Sequence, residues 1–382
     1  MHQNTPMIFF ASLSALLLLQ GQAHAQAPAA AQGAAAFPPC VPAAQPAQAA
    51  QPTTPTPPTP PAQPGRGAAP AQVIPRNVTV TAIPGVVSAG TQWTKVWQAG
   101  GNSADGILID ADGSALVAQE DFDAVLKIDA NGRTSVRVSD AKGVGSLSMD
   151  RQGRLYGAHR TERPGSTKPN QELIVNAITV LAPERKTLAN TWADGTPLTV
   201  RPNDLAADSQ GGAYFTSGCV YYANPNGTVT VAAENVRTNG ILFSLDDKTL
   251  YITNGANGPM PATIVAFDVK APGVLVNRRD FATLQMGAGG DGLALDSAGR
   301  LYVTSNPGVQ VFDKSGAYLG LVPTPRGVIS VAFAGPGKNT LYIVGSGAED
   351  AGGQPIREGP QRTAATIYTL PMVARGIEGR AK

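Results

Sequence analysis

The stretch GDGLALDSAGRLYVTSN, Gly290 to Asn306, reads as a strand, a tight turn at Ser297-Ala298-Gly299 and a second strand. Asp296 belongs to the turn, because an Asp side chain bonds the turn's own backbone while glycine supplies the positive φ. Asp291 stands at the start of an apolar strand, where no turn needs it. The pattern recurs as DGILIDADGSALVAQED from Asp105, GSLSMDRQGRLYGAHR from Gly145, NDLAADSQGGAYFTSG from Asn203 and NGILFSLDDKTLYITNG from Asn239, with a looser copy, ISVAFAGPGKNTLYIVGSG, from Ile329. Most copies continue into a third strand such as AVLKID, ITVLA, IVAFDV or VQVFD. They begin 36 to 58 residues apart, which suits one four-stranded blade each. Short runs rich in Val, Ile, Leu, Tyr and Thr, without sustained helical periodicity, make the folded part all-β. Six copies predict a six-bladed β-propeller over residues 76–382. A β-sandwich has similar strand content but does not demand near-equal repeats.

The inner strand of a blade lines the central channel, so the residue entering it sits at the channel mouth. One position down the repeats gives Asp105, Gly145, Asn203, Asn239, Asp291 and Ile329. Carboxylates and amide oxygens converging from different blades suit Ca²⁺ or Mg²⁺ better than a Cys/His metal. The competing reading is that they cap blade entries by bonding loop backbone. Asp110, Asp150, Asp208 and Asp296 are turn formers and are not recruited as ligands. A second ring comes from the ends of the outgoing strands: Glu120 and Asp121, His159 and Arg160, Ser217 and Cys219, Asn254, Asn306, and Ser346 with Glu349. His159 is the one imidazole beyond the N-terminal region and a candidate proton carrier.

The N-terminal region has a different composition. Phe9 to Leu19 is a short apolar run, and Ala23-His24-Ala25 has the small-x-small form of a signal-peptidase site, so residues 1–25 are expected to be a signal peptide. The run is too short to persist as a membrane span. Residues 26–75, built mainly of Ala, Pro, Gln and Thr, are expected to be a disordered spacer. These features predict an exported protein, periplasmic or secreted. Export permits a disulfide between Cys40 and Cys219, but their spacing does not demand one. A net charge of +2 without a basic cluster argues against nucleic acid or an anionic membrane surface as partner. A small molecule remains, and a monomer is the default for a closed propeller.

RPNDLAADSQGGAYFT from Arg201, NGILFSLDDKTLY from Asn239 and DGLALDSAGRLYV from Asp291 together resemble the SMP-30/gluconolactonase/LRE-like family of six-bladed propeller lactonases. The resemblance runs over roughly residues 95 to 371. It implies a lactone hydrolase with one divalent metal at the channel mouth, Ca²⁺ first, with Mg²⁺, Mn²⁺ or Zn²⁺ as substitutes. By motif the ligands fall on Asp105, Asn239 and Asp291, with Asp291 also the general base. Asn203 and Arg201 would line the substrate site, together with Glu120 and His159 from the outgoing strands. The family's first-blade Glu-Gly-Pro is replaced by Asp105-Gly106-Ile107, a carboxylate one methylene shorter, and Glu120 is a candidate to take its place. Arg160 to Ala177 forms an insert that could be a lid or decoration. Two other readings stay open: a non-catalytic binding or scaffold propeller, and a hydrolase of organophosphates or phosphoesters.

Overall fold

A computed structural model describes Cys40 and residues 78–102, 106–160, 175–255, 262–287 and 289–378. The chain divides into Met1–Ala36, outside the described residues, and Phe37–Lys382, to which everything below belongs. The expected signal peptide, the expected spacer apart from Cys40, Asp105 and most of the insert after Arg160 lie outside the described residues.

The described chain is all-β in a propeller-like arrangement. β1 (Thr94–Asn102) precedes a four-stranded sheet of β2 (Ile107–Ile109), β3 (Ala115–Gln119), β4 (Ala124–Ile128) and β5 (Thr134–Val138), paired in sequence order. β6 (Val144–Met149), β7 (Leu155–His159), β8 (Ala177–Ala182) and β9 (Lys186–Ala189) repeat that order. A seven-stranded sheet follows, made of β10 (Thr191–Trp192), β11 (Leu205–Ala207), β12 (Ala213–Ala223), β13 (Thr228–Phe243), β14 (Thr249–Asn254), β15 (Thr263–Ala271) and β16 (Val274–Thr283). The next sheet is β17 (Gly289–Leu295), β18 (Leu301–Ser305), β19 (Gly308–Phe312) and β20 (Tyr318–Pro323). The last combines β21 (Val328–Ala334), β22 (Thr340–Ser346) and β23 (Ala364–Pro371) with β1, in the order β1-β23-β22-β21. The first strand therefore completes the last sheet and gives β23 a pairing partner, which removes an exposed edge there.

The strand-to-strand turns follow from local sequence. Asp150 accepts hydrogen bonds from the backbone N–H groups of Gln152 and Arg154, and its other oxygen takes Arg154 Nε at 2.5 Å and the Tyr156 hydroxyl at 3.1 Å. Asp296 does the same with Ala298, Arg300 and the Tyr302 hydroxyl. The Asp-x-x-Gly-Arg-x-Tyr pattern is thus a turn whose carboxylate is neutralised within six residues. Between sheets the core is apolar, with Leu108 and Leu116 meeting Leu147 and Leu155 in one cluster, and Ala294 and Tyr302 meeting Val331 and Phe333 in another.

The inner strands pack in a closed cycle: β2 on β6, β6 on β11, β11 on β13, β13 on β17, β17 on β21, and β21 back on β2. The seven-stranded sheet arises because β13 is long. Its first half pairs with β12 and its second half with β14. β12 also turns back on itself at Gly218, whose φ is 79°; the rings of Tyr214 and Tyr222 lie 4.7 Å apart and those of Phe215 and Tyr221 5.1 Å apart.

Cys40 and Cys219 are joined, with Cα atoms 5.7 Å apart. Cys40 is buried in a cluster with Tyr156, Phe215 and Tyr221, and its carbonyl accepts a 2.6 Å hydrogen bond from the Tyr221 hydroxyl. The sequence left this pairing open because the two residues are 179 apart, and only the packing of β12 presents Cys219 to the N-terminal segment. The bond closes a long loop and restricts the unfolded chain. Replacing both cysteines by Ser is expected to lower the unfolding free energy by about 2–5 kcal/mol, read from urea titration. An unchanged denaturation midpoint would show that the pairing adds nothing to stability.

Candidate functional site

The residue after each channel entry forms a ring of its own: Gly106, Ser146, Asp204, Gly240, Gly292 and Ser330. It is a ring of near contacts. A Cβ on Gly106 would lie 2.5 Å from Leu147 N, one on Gly240 1.8 Å from the Asp291 carbonyl oxygen, and one on Gly292 2.7 Å from Ser330 Cα. Side chains do not fit at such distances, so glycine allows neighbouring inner strands to touch here. At Ser146 and Asp204 the side chains bond across the strands instead. Asp204, 4% exposed, accepts from Ser146 Oγ at 2.7 Å and from the backbone N–H of Ile241 at 3.3 Å. It thereby joins β6 and β13 across β11.

This close approach brings the entry residues side by side. The Asn203 Nδ2 group donates to Asn239 Oδ1, and the Asn239 carbonyl accepts from Thr216 Oγ1 at 2.6 Å. Asn203 Oδ1 accepts from Arg160 Nη1 at 3.2 Å. Arg160 pairs with Glu120 through Nη2 at 2.9 Å, and Arg201 Nη2 reaches the other Glu120 oxygen at 3.2 Å. Four expected residues, Glu120, Arg201, Asn203 and Asn239, are therefore joined in one network. Arg160 is the link between them.

Asp291 is partly buried and belongs to the same rim, because its carbonyl sits against Gly240, the neighbour of Asn239. Asp105 lies outside the described residues. Glu120 is 2% exposed with a guanidinium on each oxygen, so it is placed as an anchor for two arginines rather than as an open ligand. His159 is turned to another neighbour: its Nδ1 lies 2.6 Å from the Lys142 carbonyl, and its buried Nε2 has no partner among the described residues. Burial lowers its pKa. Among the second-ring residues, Glu349 pairs with Lys95 and Arg326, Asn254 caps the N–H of Arg237, and Cys219 is in the disulfide.

The donors at this rim fit a hard cation: an amide oxygen of Asn239 and the Asp291 carboxylate, on adjacent entries, with neither sulfur nor imidazole. Among the described residues no group of three His, Cys, Asp or Glu side chains clusters to hold a metal. The expected ligand set contains only two such residues, one of them Asp105. A recess lined by Ser148, Asp150, Ala207, Phe243 and Asp247 opens at the opposite ends of the inner strands, where Asp150 is committed to its own turn.

The profile of the SMP-30/Gluconolactonase/LRE-like region matches residues 138–347, more than half of the chain. The chain belongs to this family. It is 30% identical over 185 residues to lactonohydrolase oryL of Aspergillus oryzae, a match covering 38% of this chain and 42% of that protein. It is 29% identical over 191 residues to pentonolactonase XacC of Haloferax volcanii, covering 46% of this chain and 64% of the relative. The match thus spans between two fifths and two thirds of these relatives' length. Among solved structures, XC5397 from Xanthomonas campestris, described as a gluconolactonase, superposes with a TM-score of 0.58 at 24% identity, covering 80% of this chain and 99% of that one. Regucalcin from Agrobacterium tumefaciens, described as a calcium-binding protein, gives 0.53 at 17% identity, with 80% and 97% coverage. At these identities the likeness is one of fold.

Sequence reasoning listed Arg160 only beside His159 and gave no role to Asp204. The signal for the first was Gly145, a bare position in a register otherwise rich in Asp and Asn. The signal for the second was a carboxylate where other entries are followed by a small residue.

Two outcomes follow from this geometry. Gly240→Ala, which drives a methyl into the Asp291 carbonyl, is expected to cost about 1–3 kcal/mol in urea unfolding. A neutral effect would show that the strands can separate there. His159 has a folded-state pKa below its unfolded value of about 6.5, so its contribution is intact above that pH and is lost as pH falls below it. His159→Gln is expected to flatten the decline in denaturation midpoint as pH falls below about 6.5. An equally steep decline in the variant would assign the acid sensitivity elsewhere.

Proposed function

We propose that this chain is a metal-dependent hydrolase of a lactone or similar cyclic ester, acting at the rim formed by Asn203, Asn239 and Asp291. The observation that carries the proposal is the bonded pair Asn203–Asn239 beside Asp291, on three neighbouring inner strands of a chain in this family. The names of the lactonohydrolase, pentonolactonase and gluconolactonase relatives support the substrate class.

Asn239 and Asp291, with Asp105, would hold the divalent ion. Ca²⁺ is the first candidate from the oxygen donor set, and the regucalcin likeness agrees with it. Once bound, the ion would supply Lewis-acid polarisation of an ester carbonyl. The chain's own part is proton handling and orientation. The Asp291 carboxylate takes a proton from the attacking water. The Asn203 amide donates a hydrogen bond to a substrate oxygen, and Arg201, held by Glu120, flanks it with positive charge. His159, engaged with Lys142, stands apart from these steps.

Three further readings belong to this proposal. We read the seven-stranded sheet as two blades, because the facing rings of β12 mark two antiparallel runs and β13 serves both halves. With the cycle of inner strands this makes six blades in all. Residues 1–25 act as a signal peptide and 26–75 as a spacer, delivering the protein to the periplasm or the exterior. The Cys40–Cys219 bond supports that location, since disulfides persist in oxidising compartments. The domain works as a monomer on a small molecule.

The test is a panel of γ- and δ-lactones and an aryl phosphotriester, assayed with the full chain in Ca²⁺, Mg²⁺, Mn²⁺ or Zn²⁺. Lactone hydrolysis is expected to disappear on chelation and to fall about 10²- to 10⁴-fold in Asp291→Ala. The added ion is expected to raise the thermal midpoint, as any ligand of the native state must. Lactone turnover untouched by Asp291→Ala and Asn239→Ala, or turnover of the phosphotriester alone, would overturn the assignment.

A further inference from the structure

Gly145 stands in the register of Asn203, Asn239 and Asp291 and has no side chain to contribute. Its place is filled from the end of β7. A Cβ at Gly145 would lie 1.8 Å from Arg160 Nε and 2.1 Å from its Cζ, so the guanidinium occupies the space that a second-blade entry residue would have used. Arg160 is 5% exposed. One edge of the guanidinium is held by Glu120, with Nε at 3.2 Å and Nη2 at 2.9 Å from Oε2; Nη1 lies 3.2 Å from Asn203 Oδ1.

A guanidinium is a donor only. The Asn203 atom that meets it must therefore be the amide oxygen, which turns the NH₂ group toward Asn239. The observed Nδ2-to-Oδ1 contact between the two asparagines has that polarity. With the Asn203 amide reversed, an NH₂ would face the cation and two carbonyl oxygens would face each other, so the arginine fixes the polarity of both amides. Glu120 keeps the arginine in place and is itself braced by Arg201.

We propose that Arg160, seated in the slot left by Gly145, is a positioning residue that locks the Asn203 amide as a hydrogen-bond donor toward the channel mouth. Asn203 is then committed to donating, and its second amide hydrogen suits an ester oxygen as acceptor. Asn239 Oδ1 is correspondingly kept as the acceptor of that amide. The kinetic consequence rests on the hydrolase reading; the locked amide does not.

Arg160→Met combined with Glu120→Gln removes the guanidinium without leaving a buried carboxylate short of its partner. Gly145→Ala reaches the same end by pushing the guanidinium from its slot with both charges kept. In ¹H–¹⁵N spectra of the full chain, the Asn203 side-chain NH₂, assigned by its loss in Asn203→Asp, is expected to exchange with solvent at least about 10-fold faster in either variant. Arg160→Lys, which restores a donor to Oδ1, should recover much of the protection. On a hydrolysed lactone, kcat/KM is expected to fall about 10- to 100-fold, the usual effect of losing a group that orients a functional side chain, with partial rescue by Lys. Wild-type exchange of the Asn203 NH₂ in the folded variants overturns the proposal whether or not the wild type hydrolyses any lactone. In an active wild type, an unchanged kcat/KM in the variants overturns it as well. Should the double variant fail to fold, Gly145→Ala decides alone.

Discussion

The rest of the structure depends on how closely neighbouring inner strands approach one another at the channel mouth. Gly106, Gly240 and Gly292 leave no room for a Cβ against the next strand. Tight packing at one end of the cycle costs the backbone freedom that glycine gives up on folding. In return, entry residues from successive strands stand within hydrogen-bonding distance without long side chains. Short groups such as Asn and Asp can then form a site, because the backbone has already covered most of the distance.

Two positions at the mouth are completed by a charged side chain instead: Asp204 in the ring of close contacts, and Gly145 among the entries. At Asp204 the contact is replaced by a buried carboxylate that accepts from Ser146 and from the Ile241 backbone. Desolvating that carboxylate is offset by several hydrogen bonds from neighbouring strands, and its geometry makes β11 a fixed support for Asn203. At Gly145 a missing side chain is replaced by the Arg160 guanidinium arriving from the end of its own hairpin. Both solutions place charge just beneath polar entry residues, the Arg160 guanidinium paired with Glu120 and the Asp204 carboxylate held by hydrogen bonds. Buried ions are tolerated on that condition.

The outgoing strand ends divide accordingly. Glu120 and Arg160 serve the mouth, while Glu349 serves a separate buried pairing with Arg326 and Lys95. Cys219 lies at the turn of β12 and is tied to Cys40, so an N-terminal residue far outside the repeats is anchored beside the strand that follows Asn203. A lone imidazole near the mouth invites a catalytic reading, yet His159 points to the Lys142 carbonyl because Arg160, the next residue, takes the inward direction. Adjacent residues on a strand face opposite ways, and only one of the two could turn inward.

The repeat itself was legible in the sequence. Period-two runs, Asp-x-x-Gly turns and their spacing are local properties, and they gave the all-β class, separated Asp296 as a turn former from Asp291 at the rim, and named Asn203, Asn239 and Glu120, while Arg201 came from the family resemblance. Tertiary structure decided what no local pattern encodes. It decided that β1 closes the last sheet, that Cys40 meets Cys219 across 179 residues, and that Glu120 spends both oxygens on arginines. It also decided that Arg160 rather than His159 enters the site, because that choice turns on an empty volume at Gly145. A sequence records which side chain is missing; which neighbour fills the space follows only when the strands are packed together.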